Sequence, residues 1–152
     1  MRAAALLLAA AFAAGVAATG IAEVALIHHV LGWHHFVDSP DHAEALRSDG
    51  LFVAGMTALL VPALVVFAAA WPRARVGWQR LLGAFLGGSA FLNLADAAIV
   101  HGLLRLHVMR AGDDAWLVEA VWVFANLLLA LLALRLVRRG RVPGAATGRA
   151  RR

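Results

Sequence analysis

Four long apolar segments constrain the fold of this chain more than any other feature. Leu51 to Trp71 and Leu81 to Val100 reach or approach the ~20 apolar residues that a helix needs to cross the hydrocarbon core of a bilayer. Hydrophobic residues make up 62% of the chain, whereas soluble proteins contain roughly 45–50%. We therefore predict an all-α transmembrane bundle embedded in a lipid bilayer, with spans at about 3–31, 51–71, 81–103 and 116–137.

The distribution of arginine predicts the direction of these spans. Eleven of the fourteen basic residues lie at the N-terminus, in the connection between the second and third spans, or at the C-terminal end. Arginine-rich short loops stay on the cytoplasmic side, so we expect a multi-pass protein of the inner or plasma membrane with both termini in the cytoplasm. Residues 1–142 would form the membrane domain and residues 143–152 a disordered, basic cytoplasmic tail. A signal peptide at the first segment is the alternative interpretation of the N-terminus.

Other residue types narrow the class of protein. The arginines lie at the ends of apolar segments and form no basic patch interleaved with aromatic residues, so nucleic acid is not an expected partner. The chain has no cysteine, which excludes disulfides, thiolate metal ligands and a cysteine nucleophile. A homo-oligomer or another membrane protein as partner stays open, as does the choice between an enzyme, a metal carrier and a scaffold.

An internal repeat links two of the four spans. The segments 21–36 (IAEVALIHHVLGWHHF) and 94–109 (LADAAIVHGLLRLHVM) both contain an alanine, an acid, four residues, a histidine, five residues and another histidine. We interpret the chain as a four-helix bundle of two similar helical hairpins, related by an axis along the membrane normal, so that equivalent residues lie at the same depth. The matched polar residues are Glu23 with Asp96, His28 with His101, and His34 with His107.

Spacing along an ideal α-helix predicts how these groups meet. An offset of five residues turns a side chain by about 140°, and an offset of six leaves it about 120° away. The histidines of one helix are therefore not expected to chelate a metal together, and convergence must come between helices or through unwinding near Gly32. We expect each matched pair to lie side by side, and Glu23–His101 and Asp96–His28 to form cross-helix pairs.

The same residues carry a family resemblance. The motifs HHVLGWHH (28–35), SDGLF (48–52) and FLNLADAAIVHGLLRLH (91–107) are similar to those of a family of bacterial integral membrane proteins known as domain of unknown function 2243 (DUF2243). The resemblance covers the four-span core and implies a small integral membrane protein, with no activity to carry over. The chain departs from the family pattern at Val53 and Val108, where members often carry histidine.

The polar cluster supports three hypotheses about function. The first is a metal site near the extracytoplasmic face, and imidazole with carboxylate but no thiolate suits zinc, iron or copper(II). The second is haem held between two facing histidines. The third is a hydrogen-bonded histidine–carboxylate core that stabilises the bundle and binds no ligand. The candidate site residues are His28, His101, His34, His107, Glu23 and Asp96, with His35, Asn93 and Glu119 as secondary candidates.

Several of the neighbouring residues have simpler interpretations. His29, His35 and His42 are expected to be interfacial histidines, and Glu119 a solvated acid in the first turn of the fourth span. Asn93 is expected to hydrogen-bond between helices or to orient the acid one turn later. The segment 38–50 is expected to form a short capped helical turn on the outer surface that connects two spans.

Overall fold

A computed structural model of the protein describes residues 2–140, and all of the regular structure in that range is helical. The prediction of an all-α fold is therefore confirmed. Two of the four main helices continue without a break into π-helical segments, Val24–Val30 and Asp96–Leu104, and one ends in a 3₁₀ turn, Trp71–Arg73. The main helices are α1 (Arg2–Glu23), α2 (His42–Ala70), α3 (Trp78–Ala95) and α4 (Ala115–Arg139).

Each main helix, together with its extension, is long and apolar enough to cross a membrane. The shortest has 25 residues, which corresponds to roughly 37 Å at 1.5 Å per residue and exceeds the ~30 Å hydrocarbon core. The four candidate spans are Arg2–Val30, His42–Arg73, Trp78–Leu104 and Ala115–Arg139. The predicted tail, 143–152, lies outside the described residues.

The start of α2 differs from the expectation of a separate surface turn at residues 38–50. Asp41 caps the helix, because its side chain accepts a hydrogen bond from the backbone N–H of Ala43 at 2.9 Å. From His42 onward the helix continues into the apolar segment. The cap and the helical conformation therefore agree with the prediction, whereas a separate element on the outer surface is wrong. Glu44 and Asp49 belong to the first two turns of a membrane-crossing helix, and Asp38 and Asp41 precede it.

Helices α1 and α3 form the centre of the bundle. α1 packs against α2 and α3, and α4 packs against α3. The central pair is in backbone contact, because a Cβ atom on Gly15 would overlap the carbonyl oxygen of Phe85, and one on Gly88 would overlap that of Phe12. Glycine at such crossings lets membrane helices approach closely. The two contacts are reciprocal, since both glycines and both phenylalanines lie 73 positions apart in the chain.

The ends of α1 and α3 meet the beginnings of α2 and α4 at one end of the bundle. This region, residues 28–49 and 96–119, contains all seven histidines. We call it the histidine end.

Candidate metal centre

Two matching turns fold the chain back over the histidine end. Gly32 (φ 61°) and Arg105 (φ 52°) are both in the left-handed conformation, which is open to glycine and costs other residues energy. Just after each of these residues, a backbone N–H donates to the carbonyl six residues earlier at 3.1 Å, from Trp33 to Ile27 and from Leu106 to Val100. Unwinding near Gly32 was one of the two predicted routes to convergence, and it brings His34 back beside the end of α1.

The four principal histidines form a row of imidazole rings in the order His28, His34, His107, His101. Neighbouring ring centroids are 4.5, 4.3 and 4.5 Å apart, and rings two places apart are separated by 6.5 and 6.2 Å. The central pair stacks with 12° between the ring planes. His34 and His107 therefore lie side by side as expected. His28 and His101 do not, because they occupy opposite ends of the row.

Backbone carbonyls of the opposite turn hold the two central rings. His34 Nδ1 donates to the carbonyl oxygen of Met109 at 2.8 Å, and His107 Nδ1 donates to that of Phe36 at 2.9 Å. A carbonyl oxygen can only accept, so Nδ1 carries the proton in both rings and Nε2 keeps a free lone pair. The two hydrogen bonds cross between the halves of the chain, because each histidine binds the residue that lies two positions after the other: Phe36 follows His34, and Met109 follows His107.

Carboxylates from the outer helices hold the two end rings in the same way. His28 Nδ1 lies 2.8 Å from Asp49 Oδ1, which comes from α2. His101 Nδ1 lies 2.8 Å from both carboxylate oxygens of Glu119, which comes from α4. Carboxylates that accept the ring N–H of a histidine commonly fix its orientation for metal binding through the other nitrogen.

Asp96, His101 and His107 bring together three buried ligand atoms. Asp96 Oδ2 lies 2.8 Å from His101 Nε2, as an ion pair, and 3.9 Å from His107 Nε2. None of the three atoms makes a hydrogen bond with any other group of residues 2–140, and His34 Nε2, on the ring stacked against His107, has no hydrogen-bond partner there either. Ligand atoms around a tetrahedral ion with bonds of ~2.0 Å are about 3.3 Å apart. The two distances fall on either side of that value, so small shifts would complete a site.

The approach of Asp96 to His101 contradicts the prediction from ideal α-helical geometry. That prediction placed residues five apart about 140° from each other, but the chain is π-helical from Asp96 to Leu104. A π-helix repeats its hydrogen bonds at i→i+5, which brings residues five apart close to the same face. Asp96 therefore pairs with the histidine of its own segment, and the expected Asp96–His28 and Glu23–His101 pairs are absent from the ion pairs of the described residues.

A second group, His28, His35 and Asp49, also brings its ligand atoms within 4.8 Å of one another. Its hydrogen bonds are complete, however. Asp49 Oδ1 accepts from His28 Nδ1 and the backbone N–H of Phe36, both at 2.8 Å, and Oδ2 accepts from His35 Nδ1 at 2.7 Å. This group has the arrangement that the third hypothesis describes, and His35 belongs to it instead of being a plain interfacial histidine.

Sequence reasoning missed Asp49, whose side chain is 1% exposed. Hydropathy placed the start of the second span at Leu51, which left Asp49 in a presumed surface connection. Two signals could have identified it. Asp49 lies two residues before Leu51, where the apolar run begins. The small apolar residue Ala45 lies four positions before Asp49, on the same helical face.

Three other predicted residues lie around these two groups. Glu23 borders a cavity of about 10 Å³ together with His28, Asp96 and His107, which is about the space for one water molecule or ion. Asn93 takes the first of its two expected roles, because its amide donates to Asn126 of α4 at 2.8 Å. Glu119 is not a solvated first-turn acid, because it contacts His101 and its side chain is 30% exposed.

Burial keeps the two central histidines neutral. It lowers the pKa of His34 from 6.5 to about 4, and the neighbouring His107 lowers it in the same direction. Burial also lowers the pKa of His107. Because metal ions bind the neutral imidazole, both rings are in the ligating form at neutral pH.

The described residues leave no room for a haem between His28 and His101, the matched pair at the ends of the row. Axial ligation by two histidines requires an open slot between their rings that is wide enough for a porphyrin. Here the stacked rings of His34 and His107 lie between His28 and His101.

The comparison with known families agrees with the resemblance inferred from the motifs. A family model described as a predicted membrane protein, DUF2243, matches residues 10–140. The chain belongs to this family. The DUF2243 match includes most of α1, all of the other three helices and every residue of the two histidine groups. No curated protein and no solved structure matches this DUF2243 chain.

Proposed function

We propose that this DUF2243 protein binds a transition-metal ion through Asp96, His101 and His107, with His34 as an adjacent fourth donor. The observation that supports the proposal is the convergence of three buried ligand atoms, Asp96 Oδ2, His101 Nε2 and His107 Nε2, which contact one another and form no hydrogen bond with any other group of residues 2–140. An unpartnered buried polar atom costs about 1–3 kcal/mol. A bound cation would satisfy all of these atoms at once.

The ligand set favours a particular class of metal. Two imidazoles and one carboxylate are the ligands of many zinc sites and of non-haem iron(II) sites with open coordination positions, and they also suit copper(II). The protein's own groups would orient these ligands, since Glu119 fixes the His101 ring and the Phe36 carbonyl fixes the His107 ring. Both contacts leave Nε2 free to bind the ion.

We further propose that the two halves are structural repeats and that the histidine end faces away from the cytoplasm. Three features come in pairs that a shift of 73 positions interconverts: the reciprocal glycine contacts, the left-handed residues Gly32 and Arg105, and the crossed histidine–carbonyl bonds. The arginine-rich connection between α2 and α3 lies at the opposite end of the helices. Arginine retention in the cytoplasm would then place the metal centre on the extracytoplasmic side of the inner or plasma membrane.

Metal content of the purified protein tests the metal proposal. The full chain is purified in detergent with an affinity tag that contains no histidine, and bound metals are measured by elemental analysis. We expect about one transition-metal ion per chain, and loss of most of it in His107→Ala and Asp96→Asn.

Two matched variants distinguish the group of Asp96, His101 and His107 from the rest of the histidine end. His42→Ala removes an exposed histidine, and His35→Ala removes a member of the hydrogen-bonded group; both should retain the metal. Wild-type protein that stays metal-free after supplementation with zinc, iron and copper would favour the hydrogen-bonded core without a ligand. A Soret band after supplementation with haem would favour the haem hypothesis.

A further inference from the structure

The proposed metal centre has no ligand atom at the surface of the protein. All of its ligand atoms are buried, namely Asp96 Oδ2 and the Nε2 atoms of His34, His101 and His107. An ion from solvent therefore has to enter the histidine end at another point. Two histidines near the His28 end of the row reach solvent, since the side chain of His35 is 23% exposed and that of His29 is 47% exposed.

The carboxylate of Asp49 lies between these two histidines and the row. Its Oδ2 atom lies 2.7 Å from His35 Nδ1 and 3.7 Å from His29 Nε2. The corresponding distances from the proposed ligand Asp96 Oδ2 to its two imidazole nitrogens are 2.8 and 3.9 Å. His28 adds a third imidazole, because ligand atoms of His28, His35 and Asp49 all lie within 4.8 Å of one another. We call these four residues the Asp49 group, and it repeats the donor chemistry of the buried centre at a position open to solvent.

The hydrogen bonds of the Asp49 group make it the weaker of the two sites. His28 Nδ1 and His35 Nδ1 both donate to Asp49 in the metal-free protein. A neutral imidazole can carry its proton on either nitrogen, so each ring can offer Nδ1 to an ion, but it then gives up its hydrogen bond to the carboxylate. The ligand atoms of Asp96, His101 and His107 have no hydrogen bond to any other group of residues 2–140 that an ion must replace. An ion held by the Asp49 group is therefore expected to exchange readily.

We infer that the Asp49 group is an exchangeable entry site for a divalent transition-metal ion, from which the buried centre is filled. His28 connects the two, because its ring centroid lies 6.2 Å from that of His35 and 4.5 Å from that of His34. An ion can pass inward by exchanging one imidazole ligand for the next along the row. The transfer step rests on the proposed buried centre, whereas the entry site does not.

Copper(II) binding tests the entry site by itself. The full chain carries Asp96→Asn and His107→Ala, which remove two ligands of the buried centre, and is purified in detergent with a tag that contains no histidine. Copper(II) is titrated in and followed by the nitrogen hyperfine couplings of its EPR spectrum. We expect about one exchangeable copper(II) per chain with imidazole couplings, and addition of His35→Ala should weaken its binding about tenfold or more.

A neighbouring histidine supplies the matched control. The ring of His42 lies 5.8 Å from that of His35, but His42 forms no ion pair with Asp49 in the part of the chain that the structure describes. His42→Ala should therefore bind copper(II) normally. His29→Gln should weaken binding like His35→Ala, and it keeps the test decisive if His35→Ala does not fold. Unchanged binding in both His35→Ala and His29→Gln, or an equal loss in His42→Ala, would overturn the entry site.

The rate of zinc loading tests the transfer step. Metal-free wild type is mixed with zinc, a strong chelator is added after increasing delays, and the zinc that the protein retains is measured by elemental analysis. His35→Ala should reach the same final content as wild type about tenfold more slowly, and His42→Ala should load at the wild-type rate. Equal rates in wild type and His35→Ala would refute the transfer and leave the buried centre in place. Wild type that retains no zinc would refute the buried centre and the transfer together, while the copper(II) titration still decides the entry site.

Discussion

Acid should destabilise the metal-free protein through His34. The unfolded imidazole takes up a proton near pH 6.5, whereas burial, reinforced by His107, holds the pKa of the folded His34 ring at about 4. Between these values protons bind the unfolded state preferentially, so the stability present above pH 6.5 is lost as the pH falls toward 4. The lowering corresponds to about 3 kcal/mol in total, of which about 2 kcal/mol is lost between pH 7 and pH 5.

The measurement is a double comparison in detergent micelles with a strong chelator present. The free energy of unfolding is obtained from denaturant titrations of wild type and His34→Gln at pH 7 and pH 5. Glutamine does not titrate and its amide can still donate to the Met109 carbonyl, so the advantage of wild type over the variant should shrink by about 2 kcal/mol at the lower pH.

The groups that surround His34 must be controlled. The other three rings of the row, His28, His107 and His101, lie near His34 and also contribute to the pH response. Thr57→Val, which replaces a non-titrating residue on the exposed side of α2, is the control and should leave the pH dependence of wild type unchanged. If the difference between wild type and His34→Gln is the same at both pH values, the argument from burial of His34 is refuted.

Two further predictions concern the support of the site and the centre of the bundle. Glu119→Gln should weaken metal binding about 10- to 100-fold in a competition titration, because it loosens the orientation of the His101 ring. Asp113→Asn, which removes an exposed acid, should have little effect, and equal affinities in all three proteins would contradict the role of Glu119. Gly88→Ala should lower the free energy of unfolding by more than about 2 kcal/mol, because its Cβ overlaps the backbone of α1. The control Gly50→Ala, whose Cβ meets nothing within 4 Å, should be neutral or stabilising by up to about 1 kcal/mol. Unfolding titrations that rank the two variants in the opposite order would rule out close packing at Gly88.

The sequence predicted the helical class and the polar positions better than it predicted their contacts. Apolar length alone identified four helices, and the repeated spacing singled out the acids and histidines that the structure gathers at one end. The predicted contacts assumed α-helical geometry throughout. Nothing in composition or hydropathy signals the π-helical segment that moves Asp96 next to His101, so the predicted pairing across helices was replaced by pairing within one segment.

The two carboxylates from the outer helices show a different limit. Both Asp49 and Glu119 lie near the boundary between polar and apolar sequence, where hydropathy cannot distinguish a solvated acid from one that caps a buried histidine. Only the packing of α2 against α1 and of α4 against α3 decides which side each acid faces. The distinction between the hydrogen-bonded group around Asp49 and the unpartnered group around Asp96 is likewise a matter of atomic directions, which residue spacing does not encode.

The crossed bonds from His34 to Met109 and from His107 to Phe36 have a consequence for biosynthesis. A nascent chain that has inserted only α1 and α2 carries His34 without its acceptor, since Met109 has not yet been translated. Neither central ring can form its hydrogen bond to a carbonyl of the other half until α3 and the turn that follows it have left the ribosome. Completion of the histidine row must therefore follow synthesis of both halves, and a chain truncated after α2 would contain the acceptor of His28 and His35 but not that of His34.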